Sequence, residues 1–494
     1  MSNYPATLLC DFYKISHREQ YPEKTELVYS TWTPRMSRIE GVDKVVSYGF
    51  QYFVKEYLID YFQKQFFDRP KKDIVDGYYR IVKYTLGVES PDTSHIEALH
   101  DLGYLPIKLR ALKEGTLVPL RTPMMTIENT IPEFFWLTNY LETLLSNEIW
   151  QPMTAATIAR EYYNIGAKYA DKTVGNRGHL PFQFHDFSLR GMEGHIAGTN
   201  SASAHLLSFV GTDTISAILY HEKYYGADVE KELVGTSIPA TEHSVMCANA
   251  TDEQDEYESY RRLLEDIYPS GIFSVVSDTY DFWKVIGETI PSLKETILNR
   301  DGKMVVRPDS GDPVKIICGD HSVDNYHAKI GVVESLWETF GGTVNELGYR
   351  ELDPHVGAIY GDSITLDRAK EIFKQLEEKG FASSNIVLGV GSYTYQYNTR
   401  DTFGFAVKAT YTVISGQQKL IFKDPKTDDG TKKSQRGRVV VLSDAVGDLS
   451  YQDGLNQQQW EDLQSQDEMQ DVFVNGKLVR EQTLSEIRET LANQ

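Results

Sequence analysis

Residues Lys303–Pro313 read KMVVRPDSGDP. A β-branched run, Met304–Val306, breaks at once into Arg307, Pro308, Asp309, Ser310, Gly311, Asp312 and Pro313. The run predicts a strand too buried to alternate, and the Asp/Ser/Gly/Pro stretch predicts a loop. A cation and two carboxylates then stand just past the C-terminal end of a buried strand, which is the ligand end in parallel α/β folds. Arg307 can hold an anion by forked hydrogen bonds. Asp309 can accept from a sugar hydroxyl or hold Mg²⁺. Taken alone, an Arg307–Asp309 ion pair capping the strand explains the motif better.

The pattern recurs. From about Leu180, short apolar stretches alternate with helical ones, and each apolar stretch ends in a polar or glycine-containing tip. PFQF leads to His185, Asp186, Phe187 and Arg190; LLSFV to Gly211 and Asp213; TSIPA to Glu242 and His243. FSVV leads to Asp278, MVV to Arg307 and Asp309, VGAIY to Gly361 and Asp362, and NIVLGV to Gly391 and Ser392. About seven strand–tip–helix units in a row come close to the eight of a (β/α) barrel. A barrel is preferred to an open doubly wound sheet because every tip is polar. Arginines, glycine loops and aspartates converging at one end suit a phosphorylated substrate with Mg²⁺. No GxxxxGK[ST] or helix-opening GxGxxG is present, and no His/Cys cluster has zinc spacing. His243 and Asp278, on successive tips, form either a reactive imidazole with its orienting carboxylate or a structural Asp–His pair. His205, in SASAHLLSF, reads as a satisfied core histidine.

The elements that position these tips lie in two domains. Residues 151–399 form the α/β barrel domain. Residues 1–150 and 400–494 form a β-rich α+β domain built from both chain ends, with strands near 26–33 and 105–126 and after Arg400. Thr130–Trp150 and Met153–Tyr169 read as two helices. The loop Asp424–Arg438 is a solvated hairpin loop, and its Lys432, Lys433, Arg436 and Arg438 can approach phosphates. With 494 residues the chain exceeds one ordinary domain, and its formal charge of −21 argues against binding nucleic acid or anionic membrane. Cys10, Cys247 and Cys318 are few and scattered, which suggests a reducing compartment. The N-terminus lacks a secretory signal pattern and no apolar run spans a bilayer, so a soluble cytoplasmic protein is expected.

Nearly the whole chain resembles the nicotinamide phosphoribosyltransferase family, of the nicotinate/nicotinamide branch. The resemblance is carried in order by DFYKISHREQYP, HDFSLRG, GTDT, SIPATEHS, SVVSDTYD, RPDSGDP, YGDS, TRD and FKDP. It implies a type II phosphoribosyltransferase fold, an irregular α/β barrel beside a β-rich domain, and a homodimer with active sites at the subunit interface. It implies transfer of 5-phosphoribosyl from phosphoribosyl pyrophosphate to nicotinamide with Mg²⁺, coupled to ATP hydrolysis through a phosphorylated histidine. Carried over by position, Phe187 and the other subunit's Tyr13 sandwich the pyridine, and Asp213 receives the carboxamide N–H. Arg190 lies near base and ribose, and Ser237 and Ser274 are further substrate contacts. Arg307, Asp309, Gly361, Asp362, Gly391 and Ser392 hold the ribosyl phosphate. Arg35, Arg400, Lys408 and Lys423 hold pyrophosphate or ATP phosphates. His243 is the phosphorylated histidine with Asp278 as partner. Two departures stand out: Ser392 replaces a family glycine, and Ser188-Leu189 replace the Gly-Tyr of animal members. The competing expectations are a nicotinate-specific enzyme, a non-catalytic binding protein on the same fold, and a sugar-phosphate aldolase or isomerase.

Overall fold

The computed structural model describes residues 3–251, 254–428 and 430–494. The chain divides into two compact units: Met1–Thr157 with Tyr220–Ala227 and Asn398–Gln494, and Ile158–Leu219 with Asp228–Tyr397. The excursion at Tyr220–Ala227 carries no composition signal. It belongs to the terminal unit because Tyr225 donates to Glu114 (2.8 Å), the Tyr224 carbonyl accepts from Gln51 (2.6 Å), and the Tyr220 ring packs on Tyr52.

The terminal unit is built on one antiparallel seven-stranded sheet. Its order is Gln417–Leu420, Ala406–Ile414, Thr25–Thr33, Met125–Asn129, Ile107–Ala111, Gln470–Val474 and Lys477–Leu478. Thr25–Thr33 lies between a late strand and an early one, pairing Trp32 with Val407 and with Met125. Trp32 is fully buried and stacks on Phe405 at 5.1 Å. The expected break between two helices near residue 151 is absent: Glu142–Thr173 is one helix with Pro152 inside it. Arg438 does not reach toward phosphates. It is buried, donates to Glu128 at 2.7 Å, and lies over the rings of Tyr29, Tyr411 and Trp460. A buried guanidinium needs a carboxylate and aromatic faces around it, and these it has. Lys432 and Lys433 lie 3.9 and 3.7 Å from Asp428 and Asp424.

The second unit holds a curled parallel sheet of six strands. The order is Gly211–Thr212, Phe184–Asp186, Ile386–Val390, Val356–Tyr360, Asp301–Arg307 and Ser270–Val276. Val306 pairs with Ala358, and Leu388 with Phe184; all are buried, as continuous apolar runs require. Burying each of the larger ones, Val306, Leu388 and Phe184, contributes about 1.5–3 kcal/mol. The expected strand TSIPA does not form. Thr236 bridges to Gly211 at one sheet edge, and Ala240 bridges to Ser274 at the other. Thr236 N donates to the Val210 carbonyl (2.7 Å) and Ser274 N to the Pro239 carbonyl (2.8 Å). Pro239 has no N–H and cannot continue a ladder, so this segment closes the ring by single bridges. No eighth strand joins this sheet among the described residues.

Candidate active site

The strand Asp301–Arg307 ends as its sequence requires. Asp312 caps the helix Pro313–Cys318, its side chain accepting from Val314 N and Lys315 N, and Pro313 takes the first helical position. The two carboxylates of RPDSGDP therefore part: Asp312 serves the helix, and Asp309 lines a cavity. Arg307 does not pair with Asp309. Its Nη2 donates to the Thr241 carbonyl at 2.7 Å, and its buried Nε has no partner among the described residues. A strand cap would be self-satisfied; this guanidinium keeps a buried donor for a ligand.

The cavity holds about 310 Å³. It gathers Phe187, Arg190, Asp213, Arg307, Asp309, Gly361, Asp362, Gly391 and Ser392 from the strand ends. Two glycines make the approach possible. A Cβ on Gly389 would lie 2.6 Å from the Phe187 ring, and one on Gly361 would lie 2.9 Å from Asp309 Oδ1. Burial pushes the Asp309 carboxyl up against the opposing Arg307 charge, and Asp278 and Asp362 add to the rise.

A second cavity of about 280 Å³ adjoins it, sharing Phe187, Asp213 and Arg307. It adds Ser237, Ser274 and Lys303 with apolar walls such as Ile272 and Ile359. Asp213 Oδ1 accepts from His185 Nε2 (2.8 Å) and from Ser237 Oγ (2.6 Å). Burial alone would raise this carboxyl. The two hydrogen bonds, with the charges of His185 and Arg307, outweigh it and hold Asp213 below the usual carboxylate range. Ser274 is buried and its Oγ has no partner among the described residues. An ionised acceptor, an unpaired hydroxyl and the Phe187 ring thus meet around a small space.

His185 as the partner of Asp213 was not foreseen. The signal was there: His185 and Phe187 are two apart in an extended segment and share a face, their ring centroids 4.5 Å apart. Asp186, on the other face, is buried and ties the tips together, accepting from Ser188, Thr212 and Thr214. His205 is the core histidine expected, bonded to Tyr395 Oη (2.7 Å) and the Phe184 carbonyl (3.2 Å).

His243 opens the helix His243–Asn249. Its Nε2 is 3.8 Å from Asp278 Oδ1, beyond hydrogen-bonding distance, while Nδ1 contacts Thr279 Oγ1 at 3.2 Å. Asp278 is thus an electrostatic neighbour, and the direct partner of the ring is a threonine the sequence did not single out. Asp278 Oδ2 accepts from Asp309 N (3.1 Å), and its buried Oδ1 has no hydrogen bond among the described residues. Glu256, also unforeseen, is buried beside this pair. Burial, then the Asp278 and Asp255 charges, push its carboxyl up to about 7, with Lys284 opposing.

The remaining expected residues belong to the terminal unit. Tyr13, on Phe12–Ile15, is 57% exposed and lines a cavity of about 440 Å³ with Lys408 and Glu142. Burial lowers the Lys408 amine, Glu142 opposes, and Arg35, Lys423 and Arg400 lower it further. Arg35 is lowered by burial and by Arg400, with Asp401 and Asp428 opposing. These four cations therefore stand within electrostatic reach of one another. Among the described residues, no carboxylate pairs with Arg35, Lys408 or Lys423, whereas Arg400 lies 3.8 Å from Asp401. Such a cluster makes a local positive field.

The fold is that of the type II phosphoribosyltransferases. It is similar to the crystal structure of nicotinate-nucleotide pyrophosphorylase from Pyrococcus furiosus, with TM-score 0.58 and 15% identity over 99% of this chain and 95% of that one. It is also similar to human nicotinic acid phosphoribosyltransferase, with TM-score 0.56 and 14% identity over 98% and 93%. The chain belongs to the nicotinate phosphoribosyltransferase (NAPRTase) family, whose sequence model matches residues 182–477. Residues 6–78 match the nicotinamide phosphoribosyltransferase N-terminal domain. Nicotinamide phosphoribosyltransferase of Acinetobacter baylyi is 50% identical over 98% of this chain and 96% of its own length. That of Xanthomonas campestris is 34% identical over 97% and 96%.

Proposed function

We propose that this chain is a nicotinamide phosphoribosyltransferase, forming nicotinamide mononucleotide and pyrophosphate from nicotinamide and phosphoribosyl pyrophosphate in NAD salvage. The observation that carries the amide over the acid is Asp213, held ionised beside Phe187 and the unpaired Ser274 hydroxyl. Its carboxylate accepts the carboxamide N–H, whereas a nicotinate carboxylate at the same place costs several kcal/mol in like-charge contact.

The pyridine nitrogen attacks C1 of the ribosyl donor as the C1–O bond to pyrophosphate breaks, and the leaving oxygen takes the electron pair. The pyridine nitrogen is already a nucleophile, so no general base is required. Phe187 and Asp213 orient the ring behind C1. Arg307 and Asp309 hold the ribosyl phosphate portion, and cationic side chains neutralise the leaving group.

Mg²⁺ fits this donor set as a substrate-borne ion. No cluster of three or more His, Cys, Asp or Glu side chains suited to a metal occurs among the described residues, and Mg²⁺ is usually held by substrate phosphates with one or two carboxylates. Besides Asp213, which His185 and Ser237 already hold, Asp309 and Asp362 are the carboxylates lining the cavity. Bound there, the ion would offset charge on the diphosphate. ATP is the coupling co-substrate, with His243 accepting its phosphoryl group, and Arg35, Arg400, Lys408 and Lys423 holding phosphates. The working form is a cytoplasmic homodimer in which the terminal unit of one subunit completes the barrel cavity of the other. Among the described residues no helix is long and apolar enough to cross a membrane.

The test is product formation from phosphoribosyl pyrophosphate and Mg²⁺ with nicotinamide and nicotinic acid supplied separately, for wild type and Asp213→Asn. The expected result is mononucleotide from nicotinamide alone, with at least tenfold relaxed discrimination in the variant, on the order of the like-charge penalty. Product from nicotinic acid in the wild type would reverse the substrate assignment.

A further inference from the structure

The tip after Ile386–Val390 carries Ser392 and Tyr393 in succession, and the two side chains behave differently. Gly391 is open: a Cβ there would meet nothing within 4 Å. Ser392 is turned onto the neighbouring tip, so that a Cβ on Gly191 would fall 2.0 Å from its Oγ. A hydrogen bond from Glu193 N to the side-chain Oε1 of Gln396 (2.7 Å) fastens the same two tips. Ser392 is therefore engaged in tying loops together. Tyr393 is not. It lines the 310 Å³ cavity beside Asp362 and Ser363, and its ring is 58% exposed. Its hydroxyl makes no hydrogen bond to any described residue. The ring lies nearly parallel to Tyr397, at 5.8 Å between centroids and 19° between planes. Tyr397 is itself 84% exposed. Two rings stacked in water bury little area, so the pair adds little to folding. What it does provide is a phenol donor braced at the wall of the polar 310 Å³ cavity.

We infer that Tyr393 is a substrate-positioning and specificity residue: its phenol donates to the 5-phosphate of the bound sugar, and Tyr397 braces the ring in that pose. The inference rests on the reading of this cavity as the phosphoribosyl site. An O–H donating to a phosphate oxygen is a charge-assisted bond, among the stronger ones available to a neutral side chain. The 5-phosphate is not the leaving group, so the contact acts on binding and alignment of the sugar and leaves the pyridine subsite alone.

Steady-state kinetics of Tyr393→Phe, Tyr393→Ala and Tyr397→Ala test this, with ribose 5-phosphate and pyrophosphate as competing probes. Tyr393→Phe is expected to raise KM for phosphoribosyl pyrophosphate about tenfold, as loss of one charge-assisted bond implies, with KM for nicotinamide unmoved. Inhibition by ribose 5-phosphate should weaken by a similar factor while inhibition by pyrophosphate stays. Tyr397→Ala should move the same constants in the same direction, by less. Unchanged constants in both Tyr393 variants overturn the inference. So does weaker pyrophosphate inhibition with ribose 5-phosphate unaffected. A parallel rise of both KM values, or loss of the wild-type oligomer by sedimentation, would show that the pair only holds a loop or an interface, and overturns it equally. A wild-type protein that makes no product from phosphoribosyl pyrophosphate removes the underlying reading instead.

Discussion

The barrel unit and the terminal unit hold charge by opposite means. In the barrel, Asp213 is held by His185 and Ser237, Arg307 by the Thr241 carbonyl, and Asp278 by the Asp309 amide. These groups are fixed before any ligand arrives, and what they leave over, such as Arg307 Nε and Ser274 Oγ, is directed and specific. In the terminal unit, Arg35 and Lys408 are lowered by burial and by neighbouring cations, and no carboxylate among the described residues pairs with them. Glu142 offsets part of the shift at Lys408, and Asp401 and Asp428 offset part of it at Arg35. The first arrangement presents directed hydrogen-bond partners, whereas the second presents a diffuse positive field.

Whether the two regions act on one ligand across a subunit boundary gives the largest expected effect. Arg307→Ala disables the barrel half and Arg35→Ala the terminal half, each expected to cost about 10²-fold or more in kcat/KM. Mixing the two inactive proteins under conditions that exchange subunits should restore about one quarter of the wild-type activity, because random re-pairing of two-fold dimers leaves that share of sites free of both changes. No recovery in proteins shown to have exchanged would mean that both halves serve the same chain.

The contrast in charge is sharpened by salt. Lys408→Gln should raise KM for phosphoribosyl pyrophosphate about tenfold at low ionic strength, and the deficit should shrink as salt screens the wild-type cluster over about 8–10 Å. Selectivity between nicotinamide and nicotinic acid, set in the enclosed cavity, should change little across the same range. Equal salt dependence of both quantities would erase the distinction drawn between the units.

The smallest effect is on stability. Glu256 titrates near 7 in the folded protein, above the ordinary value of 4.5. The folded state therefore holds this proton more tightly than the unfolded one. The contribution of Glu256 to stability is full below pH 4.5 and is lost as pH rises through about 7, by about 3 kcal/mol at most from 1.36 kcal/mol per unit. Urea unfolding of wild type and Glu256→Gln at pH 5 and pH 8 should show a smaller pH loss in the variant. Equal losses would mean that Glu256 does not carry the extra proton.

Much of this molecule was legible in its sequence. The unbroken runs Met304–Val306 and Ile386–Val390 announced strands buried on both faces, and the polar residues directly after them announced the cavity. Residue type and position just past a strand end placed Asp213, Arg307 and Asp309 at the cavity, whereas Phe187 came from the family resemblance. TSIPA misled because its apolar residues suit a strand while Pro239 withholds the N–H a ladder needs; only the closing of the sheet shows that two bridges suffice. Arg438 misled because loop arginines usually lie in solvent, and its partners Glu128, Tyr29 and Trp460 come from distant parts of the chain.

The sequence by itself determined which side chains stand at the strand ends, because strand termination is a local matter of proline, glycine and aspartate. It also determined the family, through motifs held in order along nearly the whole chain. Only the tertiary structure decided which of those side chains are spoken for. Asp312 caps a helix while Asp309 faces the cavity; Ser392 packs on Gly191 while Tyr393 stacks on Tyr397 at the cavity wall; Asp278 lies too far from His243 to bond it. Those outcomes depend on distances between segments far apart in the chain. Ångström differences in such distances separate a hydrogen bond from an electrostatic neighbour, and no pattern of residue types records them.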